Sequence, residues 1–189
     1  RPRLTSVGAY RKQTTGDGTS HGGFYTQDEI RDIIRYAQER YITIIPEIDI
    51  PGHSAAALGS YPEIGCTGGP YQVCEVWGGP ADVLCAGKNE TMRFLQDVFT
   101  EIAELFPSQY IHMGGDECPK QRWKECRACQ AKIKELGIVP DKKHSAEQKL
   151  QSYIMVSVEK FLATKGRKVI GWDEILEGGL GPDATVHSW

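Results

Sequence analysis

The chain has 189 residues, of which 40% are apolar and 25% are charged. Those values are typical of a soluble globular protein with room for one sizeable core. The formal net charge of −3 gives no electrostatic reason to expect nucleic acid or an anionic membrane as partner. No apolar run approaches the ~20 residues that cross a bilayer, so no membrane insertion is expected in this segment.

The first half of the chain predicts one helix, one strand and one long loop. Thr26 and Glu29 form a capping box that starts a helix running to about Arg40. The apolar run YITIIPEI at 41–48 predicts a strand. The glycine-rich stretch over roughly 59–88 predicts a loop, and a loop of that length is usually functional or disordered.

Helices and strands alternate in the second half. Helices are predicted from Asn89 to Phe106, over 121–136, and from the capping box at Ser145 to Lys165. Strands are predicted at Tyr110–Met113, Lys168–Trp172 and Ala184–Trp189. Strands separated by helices favour parallel pairing, so the predicted fold class is α/β with a parallel sheet, and no linker divides residues 1–189 into two domains.

Side chains that carry chemistry gather at the carboxyl ends of the strands in parallel sheets. Each predicted strand in this chain ends in polar or aromatic residues. These residues are Asp49 and His53, Asp116 and Glu117, Trp172, Asp173 and Glu174, and His187 and Trp189. All four strand ends are therefore expected to face one site.

The stretch IHMGGDECPK at 111–120 places two adjacent carboxylates, Asp116 and Glu117, directly after a strand. Two glycines release the backbone from strict alternation, so both acids can face one cavity. Ionisation of one acid raises the proton affinity of the other, which supplies an acid and an anion together.

Glycoside hydrolysis needs that combination of an acid and an anion. Adjacent carboxylates fit poorly on opposite sides of a glycosidic bond and suit a scheme in which a group on the sugar attacks. The competing interpretation is a solvated acidic turn.

Four motifs in order resemble the β-N-acetylhexosaminidases, family twenty of the glycoside hydrolases. They are PEIDIPGH at 46–53, HMGGDE at 112–117, GWDEI at 171–175 and the terminal HSW. The loop sequences CTGGPYQV and DVLCAGKNE resemble bacterial members. The resemblance implies a retaining exo-β-N-acetylhexosaminidase that acts on N-acetylglucosaminide or N-acetylgalactosaminide glycans through an oxazolinium intermediate. It implies no cofactor, and a periplasmic or secreted location.

The resemblance also implies residue roles. Asp116 would hold the substrate's acetamido N–H and stabilise the oxazolinium, and Glu117 would protonate the leaving oxygen and then activate water. Asp49 and His53 resemble a dyad that tunes Glu117, although Asp49 could simply cap a turn and His53 could be structural.

Further positions match the family less directly. Trp172 and Trp189 resemble the aromatic walls of the acetamido pocket, although a tryptophan at a strand end is usually a core residue. His112 would form a hydrogen bond within the site, and Asp173 and Glu174 would hold loops together.

The resemblance implies a (β/α)8 barrel, of which residues 1–189 would supply strands three to six with their helices. Such a barrel takes about 250 residues, so this chain would be a fragment of a single catalytic barrel domain. The chain begins with RPRLTSVGAY and stops at VHSW, and we expect both ends to lie inside a longer protein. The fragment alone is expected to be inactive and to self-associate through open sheet edges.

The six cysteines do not predict a metal site. Cys126 and Cys129 form one CxxC pair eight residues after Cys118, no second pair follows, and His144 is the one other candidate ligand nearby. We expect free or locally paired thiols and no bound metal.

Two other functions remain open from the sequence. The chain could be a carbohydrate-binding or otherwise non-catalytic fragment that keeps the fold without turnover. It could also belong to a metal-dependent hydrolase that uses His53, His112, Asp116 and Glu117.

Overall fold

A computed structural model describes residues 1–78 and 81–189. The strands are β1 (Tyr10–Arg11), β2 (His21–Gly22), β3 (Tyr110–His112), β4 (Lys168–Trp172) and β5 (Thr185–His187). The helices are α1 (Gln27–Gln38), α2 (Ala55–Ser60), α3 (Asn89–Leu105), α4 (Gln121–Glu125), α5 (Arg127–Glu135) and α6 (Ala146–Thr164). Within the described residues, no helix combines the length and the apolar character that crossing a bilayer requires.

The central feature is a parallel three-stranded sheet in the order β3-β4-β5. Ile111 pairs with Val169, and Gly171 pairs with Val186. Helices α4, α5 and α6 form the crossover from β3 to β4, whereas a short 3₁₀ turn at Asp173–Leu176 lies between β4 and β5. The predicted α/β class with parallel strands is confirmed, and the carboxyl ends of β3, β4 and β5 lie along one edge.

The predicted strand at 41–48 is wrong in its extent. The segment that pairs with β3 is 46–50, through hydrogen bonds from the His112 N–H to the Pro46 carbonyl and from the Ile48 N–H to the His112 carbonyl, each 2.9 Å. Only Glu47 forms a bridge with β3. Pro46 has no N–H to extend the pairing, and of the apolar residues before it Ile42 and Ile45 are exposed and Ile44 is half-buried.

The core lies where α3 and α6 pack together and α6 packs on β4. Its fully or nearly fully buried members include Phe99 from α3, Ile154 and Leu162 from α6, and Ile111 and Val169 from the sheet. Burial of each such side chain contributes about 1.5–3 kcal/mol, which fixes the sheet edge against the helices.

The three long helices were predicted correctly, since Thr26 and Ser145 form the expected capping boxes and α3 ends before Pro107. The helix predicted over 121–136 is instead two helices, because the backbone at Cys126 is extended. Helix α2 and the hairpin of β1 and β2 were not predicted. The predicted loop at 59–88 overlaps α2 and contains a 3₁₀ turn at Pro62–Ile64, and its residues 79 and 80 lie outside the described residues.

Candidate active site

The chain turns sharply after β3, and two glycines make that turn possible. Gly114 and Gly115 have φ angles of 65° and 107°, a region that side chains rarely tolerate. A Cβ atom on Gly114 would also overlap the Asp49 carboxylate, and one on Gly115 would overlap Ile175. The turn therefore brings Asp116 and Glu117 to the same edge as Asp49.

The two adjacent carboxylates share one imidazole. His53 Nε2 lies 3.3 Å from Asp116 Oδ2 and 3.4 Å from Glu117 Oε2. The Asp116 side chain is 15% exposed and that of Glu117 is 60% exposed. Asp116 Oδ1 is buried and has no hydrogen-bond partner among the described residues. The buried acid thus keeps a free acceptor, while the exposed acid stands at the rim.

Asp49 lies beneath this pair and is only partly accessible. Its Oδ1 accepts a hydrogen bond of 3.2 Å from the Gly115 N–H. Burial, reinforced by the neighbouring Asp116 charge, raises the pKa of Asp49 to about 7, against the opposing effects of the Gly115 N–H and His53. Asp49 can therefore change its charge near neutral pH.

Aromatic rings at the carboxyl ends of β4 and β5 lie opposite the carboxylates. The rings of Trp172 and His187 stack with their centroids 4.4 Å apart, and Trp189 meets Trp172 edge-on at 6.3 Å. The Trp189 indole N–H donates to Glu174 Oε2 over 3.3 Å. That hydrogen bond agrees with the expectation that Glu174 holds a loop. The stacked rings of Trp172 and His187 form an apolar wall of the kind that the face of a sugar contacts.

His112 lies behind this wall. Its Nδ1 accepts a hydrogen bond of 3.1 Å from the Gly114 N–H. Burial lowers the pKa of His112, although the nearby Glu47 opposes that effect. Glu47 Oε1 in turn accepts the Trp172 indole N–H over 3.1 Å. Glu47 and His112 therefore fix the orientation of the wall.

A cleft of about 340 Å³ joins these groups. Its lining consists of Glu47, Asp49, His53, Asp116, Trp172 and Trp189. A larger cavity of about 750 Å³ beside the β1–β2 hairpin shares His53 with it, but no carboxylate lines that cavity. The smaller cleft is the better candidate, because it alone of the two combines acids with aromatic walls.

A cation could also be held here. Asp49, His53 and Asp116 each offer one ligand atom, and those atoms lie within 4.8 Å of one another. Two carboxylates and an imidazole suit several divalent cations. His112 and Glu117, which the alternative of a metal-dependent hydrolase would also use, are not part of this group.

The structure brings most of the predicted site residues together. Glu117 contacts His53 at the cleft, and His112 supports the cleft from behind. The predicted residues that line the cleft itself are Asp49, His53, Asp116, Trp172 and Trp189. Glu47 was missed, although it stands two residues before Asp49 and so shares its face of the extended segment. His187 was noted as a strand end, but its stacking on Trp172 was not predicted.

Comparison with known proteins gives one consistent result. The family model described as "Glycosyl hydrolase family 20, catalytic domain" matches residues 1–189. A beta-hexosaminidase of Porphyromonas gingivalis is 52% identical over 188 residues, which is all of this chain and 23% of that protein. A beta-hexosaminidase of Vibrio furnissii is 40% identical over 197 residues, which is all of this chain and 31% of that protein.

Solved structures agree with these relatives. The beta-N-acetylhexosaminidase from Bacteroides fragilis matches with a TM-score of 0.83 and 37% identity, over all of this chain and 35% of that one. An exo beta-N-acetylglucosaminidase from Vibrio harveyi, in complex with N-acetylglucosamine, matches with a TM-score of 0.83 and 34% identity, over all of this chain and 30% of that one. The chain thus spans about a quarter to a third of the length of these relatives.

Proposed function

Because the chain belongs to glycosyl hydrolase family 20, we propose that its parent protein is a retaining exo-β-N-acetylhexosaminidase. Such an enzyme removes terminal N-acetyl-D-hexosamine residues, gluco or galacto, from the non-reducing ends of β-linked glycans. One observation carries the proposal. Asp116 and Glu117 both reach His53 beside a cleft that Trp172 and Trp189 line.

The first step is an attack by the substrate on itself. The oxygen of the 2-acetamido group forms a bond to the anomeric carbon as the bond to the leaving oxygen breaks. Positive charge then develops on the resulting oxazolinium ring. Asp116 Oδ1 is a buried acceptor without a protein partner among the described residues, which suits the acetamido N–H. Its carboxylate would hold that group in position and stabilise the positive charge.

Glu117 would supply the proton that the leaving oxygen needs. Its exposed position at the rim is where a departing sugar and an arriving water could both reach it. After the leaving group departs, the ionised Glu117 would take a proton from water as the water opens the oxazolinium. The two successive displacements at the anomeric carbon return the original β configuration.

His53 and Asp49 would tune this pair rather than react. His53 lies within 3.4 Å of both carboxylates, and Asp49 lies close to His53 and Asp116. A change in the charge of Asp49 alters the field that acts on both acids, so it shifts their proton affinity. Trp172 and Trp189 would pack on the sugar and on the acetyl methyl group.

Membership of the family also supports a proposal about the fold of the parent protein. We propose that segment 46–50 and strands β3, β4 and β5 are strands three to six of a (β/α)8 barrel, and that residues 1–189 belong to that one catalytic domain. The parallel pairing and the gathering of polar residues at one edge support this assignment.

Two alternatives differ in what they predict. A metal-dependent hydrolase is favoured by the proximity of Asp49, His53 and Asp116, and its nucleophile would be a metal-bound water. A non-catalytic carbohydrate-binding protein would retain sugars in the cleft without cleaving them.

A series of substrates separates these functions in the intact protein. Chromogenic β-glucosaminides carrying N-acetyl, N-fluoroacetyl, N-difluoroacetyl and N-trifluoroacetyl groups lose nucleophilicity at the amide oxygen in that order. We expect cleavage rates to fall steeply along the series, with retention of the β configuration in the first-formed product. A flat series would indicate attack by water and exclude substrate assistance, and binding without cleavage would indicate the non-catalytic protein. The matched β-glucoside, which has no acetamido group, serves as the control.

A further inference from the structure

A second cluster of reactive side chains lies away from the candidate active site. The structure brings the CxxC pair, Cys126 and Cys129, together with Cys66 and Cys85 from the long loop. All four sulfur atoms lie within 4.8 Å of one another. The sequence spacing did not reveal this cluster, because Cys66 and Cys85 are far from the CxxC pair along the chain. The two candidates considered from the sequence, Cys118 and His144, are not part of it.

The distances between the sulfur atoms fit one geometry well. The separations are 3.6 Å for Cys85 and Cys129, 3.7 Å for Cys85 and Cys126, and 3.9 Å for Cys66 and Cys129. A tetrahedron of thiolates at the Zn–S bond length of about 2.3 Å has edges of about 3.8 Å. Cys85 and Cys129 are fully buried, Cys126 is nearly so and Cys66 is partly exposed, so three of the four sulfur ligands are shielded from solvent. We propose that Cys66, Cys85, Cys126 and Cys129 bind one structural Zn²⁺ ion.

The surrounding backbone holds the four cysteines in place without the ion. Gly65 and Leu84 form an antiparallel bridge, and the Cys85 N–H donates to the Ile64 carbonyl over 2.8 Å, so Cys66 and Cys85 lie diagonally across this bridge. The Trp123 indole N–H donates to the Leu84 carbonyl over 2.9 Å, which fastens α4 to this bridge. A Cβ atom on Gly87 would overlap the backbone of Ala128 between the two CxxC cysteines. The loop thus approaches the CxxC turn as closely as glycine permits.

Charge and access also suit a metal ion. Four thiolates with Zn²⁺ leave two negative charges. A cavity of about 360 Å³ beside Cys66 and Cys126 is lined by Arg127, by Glu125, and by Arg122, which is paired with Asp82. This cavity gives an ion a route to the cluster from the surface. A zinc ion here would tie the loop that follows the His53 turn to the helices that follow Glu117. It would therefore stabilise both sides of the candidate active site without taking part in catalysis.

The alternative to a zinc ion is a pair of disulfide bonds, which the same four sulfur atoms could form.

The test uses the intact protein without an affinity tag, purified without chelator, together with three single substitutions. Cys85→Ser and Cys129→Ser each remove one proposed ligand. Cys74→Ser is the matched control, because Cys74 lies outside the cluster. Zinc per chain is measured by mass spectrometry of the metal, and the state of the thiols by intact mass after alkylation without reductant.

We expect one zinc per chain in the wild type and in Cys74→Ser. Loss of a residue that only hydrogen-bonds to a metal ligand lowers metal affinity by about 10–100-fold. Substitution of a ligand itself should lower zinc affinity by more than that. After removal of zinc, Co²⁺ should restore the site with the intense visible absorption of a tetrahedral thiolate complex. A wild type without stoichiometric zinc, or with a mass lower by four hydrogens because two disulfides have formed, would overturn the proposal. Because these readouts apply to the wild type, they hold even if a variant fails to fold, and none of them depends on hexosaminidase activity.

Discussion

His53 and Glu117 share an unusual backbone conformation. Their φ angles are 47° and 45°, in the left-handed region that non-glycine residues rarely occupy. Each such residue costs of the order of 1–3 kcal/mol and persists only where the surrounding structure enforces it. Thr15 and Tyr41 share this conformation elsewhere in the described residues, whereas His53 and Glu117 are the imidazole and the rim carboxylate that meet at 3.4 Å. Part of the backbone strain therefore falls on the two residues that the proposed reaction needs in contact.

At this scale, the proposed general acid gives the first prediction. In the intact protein, Glu117→Gln should reduce cleavage of a phenyl N-acetyl-β-glucosaminide by ~10²–10⁴-fold, because the poor leaving group needs a proton. A dinitrophenyl substrate, whose leaving group needs none, should lose far less in the glycosylation step. Steady-state kinetics on both substrates provides the measurement. An equal loss on the two substrates would mean that Glu117 is not the acid.

Asp49 gives a prediction about pH. The folded-state pKa of Asp49 is about 7, above its unfolded value of 3.8, so the folded state retains a proton that the unfolded state has lost. This contribution to stability is fully present below pH 3.8 and is lost as the pH rises through about 7. Asp49→Asn should flatten that part of the profile. Urea unfolding of both proteins at several pH values checks this expectation, and parallel profiles would show that Asp49 does not carry the shifted proton.

At the scale of elements, helices were easier to predict than strands, for physical reasons. The capping boxes at Thr26 and Ser145 are local patterns, so a short stretch of sequence identifies them. The pairing of segment 46–50 depends on a strand far away in sequence, and the apolar run before Pro46 resembles a strand although most of it remains exposed. The break at Cys126 was equally hidden, because an extended residue between two polar helices leaves no sequence signal.

In the candidate site, too, local sequence patterns could be recognised, whereas contacts between residues distant in the chain could not. Residues within the motifs were selected because four motifs in order resemble a known family, and Asp116, Trp172 and Trp189 do line one cleft. Glu47 was missed because its importance lies in its contacts with Trp172 and His112, which are distant in the chain. The cysteine cluster was missed for the same reason, because Cys66 and Cys85 reach the CxxC pair only through folding.

Helix α6 connects the core to the site and can be tested through its cap. The Gln151 side chain donates to the Gly115 carbonyl over 2.7 Å, so α6 supports the turn that carries the carboxylates. Ser145→Ala removes the oxygen that accepts the Gln148 N–H and should lower the free energy of unfolding by about 1 kcal/mol. Ser157→Ala in the same helix is the matched control. Its hydroxyl donates only to the Tyr153 carbonyl, so its loss should matter little. Urea unfolding that ranks the two variants in the opposite order would contradict this account of the cap.

At the scale of the whole molecule, the main question is whether these 189 residues suffice for catalysis. We expect the 189-residue chain alone to show no measurable hexosaminidase activity, because Trp189, which lines the cleft, is 72% exposed. An error of about 1 Å in placing the acetamido oxygen can cost ~10²-fold in rate. Segment 46–50 and β5 each pair on one side only in the described residues, so self-association is also expected. A fluorogenic assay with light scattering tests both expectations, and robust turnover by a monomer would refute them.

The most direct test of the central claim is the affinity of a cyclic thiazoline for the intact protein and for its Asp116→Asn variant. The thiazoline mimics the oxazolinium, and the claim is that Asp116 stabilises the charge that develops on that ring. Asparagine preserves the shape of the side chain and removes the charge. Titration calorimetry should show tight binding to the wild type and much weaker binding to the variant, with little change for the product N-acetylglucosamine. Equal affinity of the thiazoline for both proteins would contradict the account.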